Sequence, residues 1–142
     1  MNQFKLLAKR RFAPYFATQA LAAFNDNAFR QATIVLVAFQ LGLSDEKVSF
    51  YSNLAPALFI LPFFLFSASA GQIAEKFEKQ RLIRYVKLFE IAAMCIAAYG
   101  FHVASPALLL TVLFLMGLHS TVFGPIKYAI LPQALKPDEL VG

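Results

Sequence analysis

Four stretches of this chain are each long and apolar enough to cross a lipid bilayer, and that property limits the fold more than any other. They cover about residues 14–41, 48–74, 82–103 and 106–131. A helix needs about 20 residues to traverse ~30 Å of hydrocarbon. Within the bilayer every backbone N–H and C=O must be bonded inside the structure, so only helices and closed barrels can span it. The runs are too long for strands and lack alternation, and a membrane barrel would need alternating segments of about ten residues. The reading is an all-α integral membrane protein with four transmembrane helices. Composition supports it: 59% of the residues are hydrophobic and 15% charged, against about 45–50% and 25% in soluble domains. A soluble globular enzyme is therefore disfavoured.

The connectors are short. Residues 42–47 (GLSDEK) form a turn, with Ser44 as a helix start and Asp45 and Glu46 favouring the N-terminus that follows. Residues 75–81 (EKFEKQR) read as a compact charged loop. Ser105 is placed to cap the fourth helix, with Pro106 at its first position. Nothing reads as a linker or a domain boundary, so residues 1–142 form part of one domain. The basic start followed by an apolar run mimics a signal peptide, but the run is too long, contains Asp26 and is followed by further spans.

The net charge of +5 points to nucleic acid only if the basic residues share one wet face. They cluster instead between the apolar runs. Lys5, Lys9, Arg10, Arg11, Lys76, Lys79, Arg81, Arg84, Lys87 and Lys136 fall on one side of the spans and only Lys47 on the other. Lys and Arg accumulate in cytoplasmic loops, so both termini are expected in the cytoplasm. The lone Cys95 can form no internal disulfide, and no Cys/His spacing suggests a metal site. No cofactor is implied.

The charges inside the spans are the candidate site. One at a helix centre costs about 2.5–3.5 kcal/mol on insertion scales, so each needs a reason. The first span carries Asn25, Asp26, Asn27 and Arg30; the fourth carries Lys127 with His119 two turns earlier; the third carries Glu90. Gln19, Asp26, Arg30 and Thr33 fall on one face of a helix, and Asp26 can pair with Arg30 four residues on. Such a stripe must face protein or a water-filled cavity. Asp26 and Lys127 each lie roughly 6 Å inside the cytoplasmic boundary, so a pair between the first and fourth spans is feasible. The alternative for such a pair is a packing lock. Glu90, with Lys87 and Arg84 nearby, and His119 read as structural. Pro56 and Pro62 are expected to kink the second span.

Many transporters are built from three-helix repeats, with interrupted helices at matching positions. The fourth span would then match the first, and these are the two with charged interruptions. The segment from Gly71 through Glu75, Lys76, Lys79 and Arg81 resembles the signature loop of the major facilitator superfamily between its second and third helices. Glu78 stands where that pattern usually has a second glycine. The loop implies a contact that differs between inward- and outward-open states. With it, FNDNAFR at residues 24–30 and GPIKYAILPQ at residues 124–133 resemble the bacterial lysophospholipid transporter family, a branch of that superfamily. The start, Met1-Asn2-Gln3-Phe4 through Arg10-Arg11-Phe12, is similar to proteins in which the transporter is fused to a phospholipid acyltransferase and an acyl-carrier-protein ligase.

The resemblance implies a carrier that flips lysophospholipids, chiefly lysophosphatidylethanolamine, across the bacterial inner membrane for reacylation. Asp26, Arg30, Lys127, Asn25 and Asn27 would bind the head group, and Gly71, Glu75, Lys76, Lys79 and Arg81 would form the conformational loop. Such a fold has about twelve helices, so four would be part of its N-terminal six-helix bundle, an N-terminal fragment ending at Leu140-Val141-Gly142. Its partners would be membrane lipids, the C-terminal transporter half and the acylating enzymes. Two alternatives stand beside this reading, a membrane module of a fused acyltransferase and a facilitator for another small molecule. An acyltransferase His with an Asp five residues on is absent from the chain, since Ala107 follows His102 at that distance and Gly124 follows His119.

Overall fold

Proline stands in the first turn of two of the long helices, and glycine follows the first helical run. The computed structural model describes residues 4–135. Lys136, the Met1-Asn2-Gln3 start and the Leu140-Val141-Gly142 end lie outside the described residues. Among those described, every regular element is helical: a short turn α1 (Phe4–Leu7), then α2 (Ala13–Val35), α3 (Asp45–Lys76), α4 (Lys79–His102) and α5 (Pro106–Ala134). Pro14 sits in the first turn of α2, where its missing N–H leaves no bond unmade. A π-helical turn at Leu36–Gln40 carries α2 onward and buries two consecutive residues, Leu36 and Val37. Gly42 follows with φ +57°, a conformation glycine adopts without steric penalty.

The other ends follow the local chemistry. Ser44 is extended before α3, and Asp45 and Glu46 lie in its first turn, although the Ser44 side chain makes no capping bond. The Ser105 hydroxyl accepts from the Leu108 N–H at 3.4 Å, with Pro106 opening α5. One expectation changes. Residues 75–81 are not a loop, because α3 runs to Lys76 and α4 starts at Lys79, leaving only Phe77 and Glu78 between them. Glu, Lys, Gln and Arg are good helix formers, so charge ends the apolar run without ending the helix.

α5 is the helix the others share: α3 and α4 pack on it most extensively, and α2 touches α3 and α5 more lightly. Leu109, Val112, Leu113, Met116 and Ile126 of α5 are fully buried. Small buried residues bring α3 and α4 close to them: Ala55 of α3, and Ala93 and Ala97 of α4, join the main core cluster, with Leu54, Leu58, Phe59 and Met94 packed against it. Gly117 of α5 lies so close to α3 that an added Cβ would meet the Phe59 carbonyl.

Large apolar side chains point the other way. Phe24, Phe39 and Phe64 are 71–81% exposed, and Leu61, Phe63, Leu65 and Phe66 of α3 are exposed as well. Small residues inside and large apolar ones outside is how helices pack in lipid, where close backbone approach replaces the hydrophobic effect as the driving force. By length and composition, α3 and the Pro106–Pro132 part of α5 can each cross a membrane.

Candidate functional site: a polar cavity between α2 and α5

Asp26 and Lys127 come together because α2 and α5 leave a gap where small residues line both helices. Ala22 and Ala23 of α2 and Gly124 of α5 wall a cavity of about 260 Å³, with Phe63 of α3 as an apolar wall. Gln19, Asp26, Ser120 and Lys127 supply its polar lining. Gly124 has open space where a Cβ would project. Pro125 follows it within the helix, and its missing N–H leaves the carbonyl one turn earlier without its helical partner.

Asp26 Oδ2 accepts a hydrogen bond from the Ser120 hydroxyl at 3.2 Å. Asp26 Oδ1 is buried and has no partner. The Lys127 ammonium lies 5.6 Å from the ring centre of its exposed neighbour Tyr128, a cation–π distance. The Lys127 carbonyl accepts from the Tyr15 hydroxyl at 3.2 Å, which ties the start of α2 to α5. Asp26 and Lys127 line the same cavity without a direct ion pair among the described residues. They are two opposite charges with room between them, which is a receptor for a group carrying both signs.

The rest of the polar stripe does not converge there. Arg30 donates to Asn27 Oδ1 at 2.8 Å, so the pairing expected along the helix with Asp26 is replaced by one with an amide three residues back. Asn27 donates to its own helix at Ala23, and Asn25 reaches Met94 of α4 at 3.5 Å. Thr33 is buried and bonds back to the Phe29 carbonyl. Of the five expected head-group residues, only Asp26 and Lys127 line the cavity.

A second cluster joins α4 to α5. Glu90 pairs with Lys87 at 2.7 Å and lies 3.4 Å from His119 Nε2. His119 is only 4% exposed, and it also lines the Asp26 cavity. Its ring stacks on Phe123 at 5.9 Å and 11°, and Lys87 sits 4.9 Å from the centre of that same ring. The pair with Lys87 is one the sequence leads to expect, because Lys87 and Glu90 lie three apart on one helical face. The partner on α5 is not.

The charged corner after α3 forms a separate feature. Gly71, Glu75 and Lys79 line a cavity of about 390 Å³ with Pro125 and Ala129 of α5. Lys79 donates to the Ala129 carbonyl at 3.4 Å. Arg81 pairs with Glu78 at 3.1 Å on the exposed surface, and Lys76 is exposed. The α3–α4 corner is thus fastened to the end of α5 by the Lys79 hydrogen bond and by an apolar cluster of Ala74, Val86, Phe123 and Ile126.

Close helix packing, apolar side chains turned outward and opposite charges lining one gap between two helices define a helical membrane protein with a partly open cavity that carries polar groups. Residues 21–141 match the family described as transmembrane secretion effector, and the chain belongs to this family of the major facilitator superfamily. It is 31% identical over 132 residues to the lysophospholipid transporter LplT of Citrobacter koseri, covering 88% of this chain and 29% of that protein. It is 32% identical over 130 residues to the protein of the same name from Escherichia fergusonii, covering 87% and 28%. With that of Serratia proteamaculans it shares 27% over 135 residues, covering 95% and 31%. The chain thus spans about 29% of the length of the curated relatives it matches. No solved structure matches it.

Proposed function

We propose that this chain is the N-terminal part of a carrier that moves lysophospholipids, such as lysophosphatidylethanolamine, across the bacterial inner membrane for reacylation. The observation that carries this reading is the placement of Asp26 and Lys127 on two helices facing one cavity. A phosphoethanolamine head group bears one cation and one anion. Asp26, held by Ser120 with one oxygen free, suits the ammonium; Lys127 suits the phosphate. The acyl tail stays against the outward Phe and Leu side chains or in lipid. Relatives that carry the name lysophospholipid transporter support the cargo.

In this reading α2 to α5 all span the membrane, with both ends cytoplasmic, as the distribution of Lys and Arg requires. The α3–α4 corner then lies in the cytoplasm, and the Lys79 contact with α5 opens and closes as the halves rock against each other. Asn25, Asn27 and Arg30 hold the α2 backbone and its surroundings in place while Asp26 meets the cargo. No chemistry beyond binding and release is required, and the relatives are named as transporters.

Uptake of labelled lysophosphatidylethanolamine into spheroplasts tests the reading. The full-length gene product is compared with Asp26→Asn and Lys127→Met at matched membrane levels. Loss of uptake in both variants is expected. Undiminished uptake in both would reduce the two residues to packing, and no uptake by the unaltered protein would assign it another cargo.

A further inference from the structure

Two hydrogen bonds tie α2 to α5, and they bracket the polar cavity. The Ser120 hydroxyl donates to Asp26 at 3.2 Å, and the Tyr15 hydroxyl donates to the Lys127 carbonyl at 3.2 Å. The earlier residue of α2 meets the later residue of α5, so the two helices run in opposite directions. Gln19 stands between the two bonds on α2, one turn after Tyr15 and seven residues before Asp26. At about 100° and 1.5 Å per residue, it shares the face of Asp26 to within about 20° and lies about 10 Å from it along the axis. On α5, Lys127 follows Ser120 by the same seven residues.

The polar side chains of this cavity are not equally engaged. Asp26 and Ser120 bond to each other, the Lys127 ammonium lies beside the Tyr128 ring, and His119 lies 3.4 Å from Glu90. Gln19 is half-buried and lines the cavity, yet its amide makes no hydrogen bond to a described residue. A side-chain amide offers two donors and an acceptor oxygen, and here all of them are left for what enters the cavity.

With the ammonium of the cargo at Asp26 and its phosphate at Lys127, the covalent order of the head group fixes what comes next. Beyond the phosphate lies the glycerol, and a lysophospholipid is distinguished from a diacyl lipid by a free hydroxyl there. The Cα–Cβ bonds of a helix tilt toward its N-terminus, so Lys127 leans back toward Ser120 while Gln19 leans away from Asp26. Gln19 is therefore the wall residue met after the phosphate. A cavity of about 260 Å³ is smaller than the ~300–1,000 Å³ pockets that enclose whole drug-sized ligands. It takes the head group and glycerol and leaves the acyl chain outside.

We propose that Gln19 binds the free glycerol hydroxyl of the cargo and so sets the preference for a one-chain lipid. The inference rests on the lysophospholipid reading and deepens it. The amide oxygen of Gln19 accepts the hydroxyl proton. A diacyl lipid carries an ester at that position, which has no proton to donate and brings a second chain for which the cavity has no room. A site built around a hydroxyl discriminates against an analogue without one, because its own polar group is then left unpaired.

Binding of 1-acyl lysophosphatidylethanolamine and of its 2-deoxy analogue, which lacks only that hydroxyl, is measured in detergent on the purified full-length gene product. The unaltered protein should bind the analogue roughly 2- to 10-fold more weakly, the worth of one hydrogen bond. Gln19→Met keeps the length of the side chain without the amide and should bind the two lipids equally. Gln19→Glu keeps an acceptor oxygen and should retain the preference. A residue that only packs would weaken both lipids alike and leave the ratio unchanged. Each result is a ratio of two dissociation constants, so it does not depend on how much of a variant folds. Equal affinities in the unaltered protein, or an unchanged ratio in Gln19→Met, overturn the proposal and leave the carrier reading standing. Failure of the unaltered protein to bind either lipid overturns the carrier reading, and the proposal with it.

Discussion

Gly117 is the glycine at which an added methyl group meets the tightest contact. A Cβ built there would run into the carbonyl oxygen of Phe59 and approach its carbonyl carbon to 2.9 Å and its Cα to 3.2 Å. All three are backbone atoms, so no side-chain rotation relieves the overlap, and Gly117→Ala must push α3 and α5 apart. Inserting a methyl group into a tight interface costs about 1–3 kcal/mol. Glycine-to-alanine replacement in a helix returns roughly 0.5–1 kcal/mol of propensity, so the expected net loss is about 0.5–2 kcal/mol. That is about a 2- to 30-fold fall in the ratio of folded to unfolded protein. Gly124→Ala is the matched control, because nothing lies within 4 Å of the Cβ it would add. Both variants are followed by SDS titration in mixed micelles with helix content as the readout. A Gly117→Ala midpoint equal to or above that of Gly124→Ala would refute the close approach of α3 and α5.

Four further substitutions test other features. Ala104, in the turn between α4 and α5, has φ +49°; this conformation costs a non-glycine residue roughly 1–2 kcal/mol. Ala104→Gly should therefore raise stability by up to about 1 kcal/mol, seen as a higher unfolding midpoint, after the entropy of the unfolded chain is counted. Ser120→Ala leaves both oxygens of Asp26 without a protein partner and should destabilise by about 1–3 kcal/mol. Thr111→Ala, which loses only a bond back to its own helix on the exposed face, should stay near zero in the same assay. Arg81→Ala removes an exposed ion pair with Glu78 and should leave stability unchanged, since solvent screens such pairs.

The helices were legible because hydropathy and length speak directly to a bilayer, and because caps are local. Ser105 and Pro106 open α5 as their chemistry demands, through contacts made within one turn. The α3–α4 corner was misread for a related reason. Hydropathy falls at Glu75, but hydrogen bonding continues until Phe77, whose N–H still bonds to Ile73. A hydropathy profile finds where lipid could end, and helix formers carry the backbone past that point. The π-helical turn at Leu36–Gln40 leaves no such local mark, since it depends on which residues the neighbouring helices leave room to bury.

The site was legible one helix at a time. Asp26 and Lys127 stood out because a charge among apolar residues is costly wherever it points, and a depth estimate alone was enough to bring them level. What each charge meets is decided by rotation of one helix against another, and periodicity fixes rotation only relative to the helix's own residues. For that reason Arg30 was placed on the face of Asp26, whereas its guanidinium folds back to Asn27. His119 read as a stray histidine until the packing of α4 on α5 set Glu90 beside it and the gap between α2 and α5 opened next to it. An isolated histidine or glutamate on an apolar helix is weak information by itself. Packing of α4 on α5 brings the two within 3.4 Å of each other, beside a cavity that His119 lines with Asp26 of a third helix. The balance of charge in that pocket is a property of three helices together, which no single segment of sequence contains.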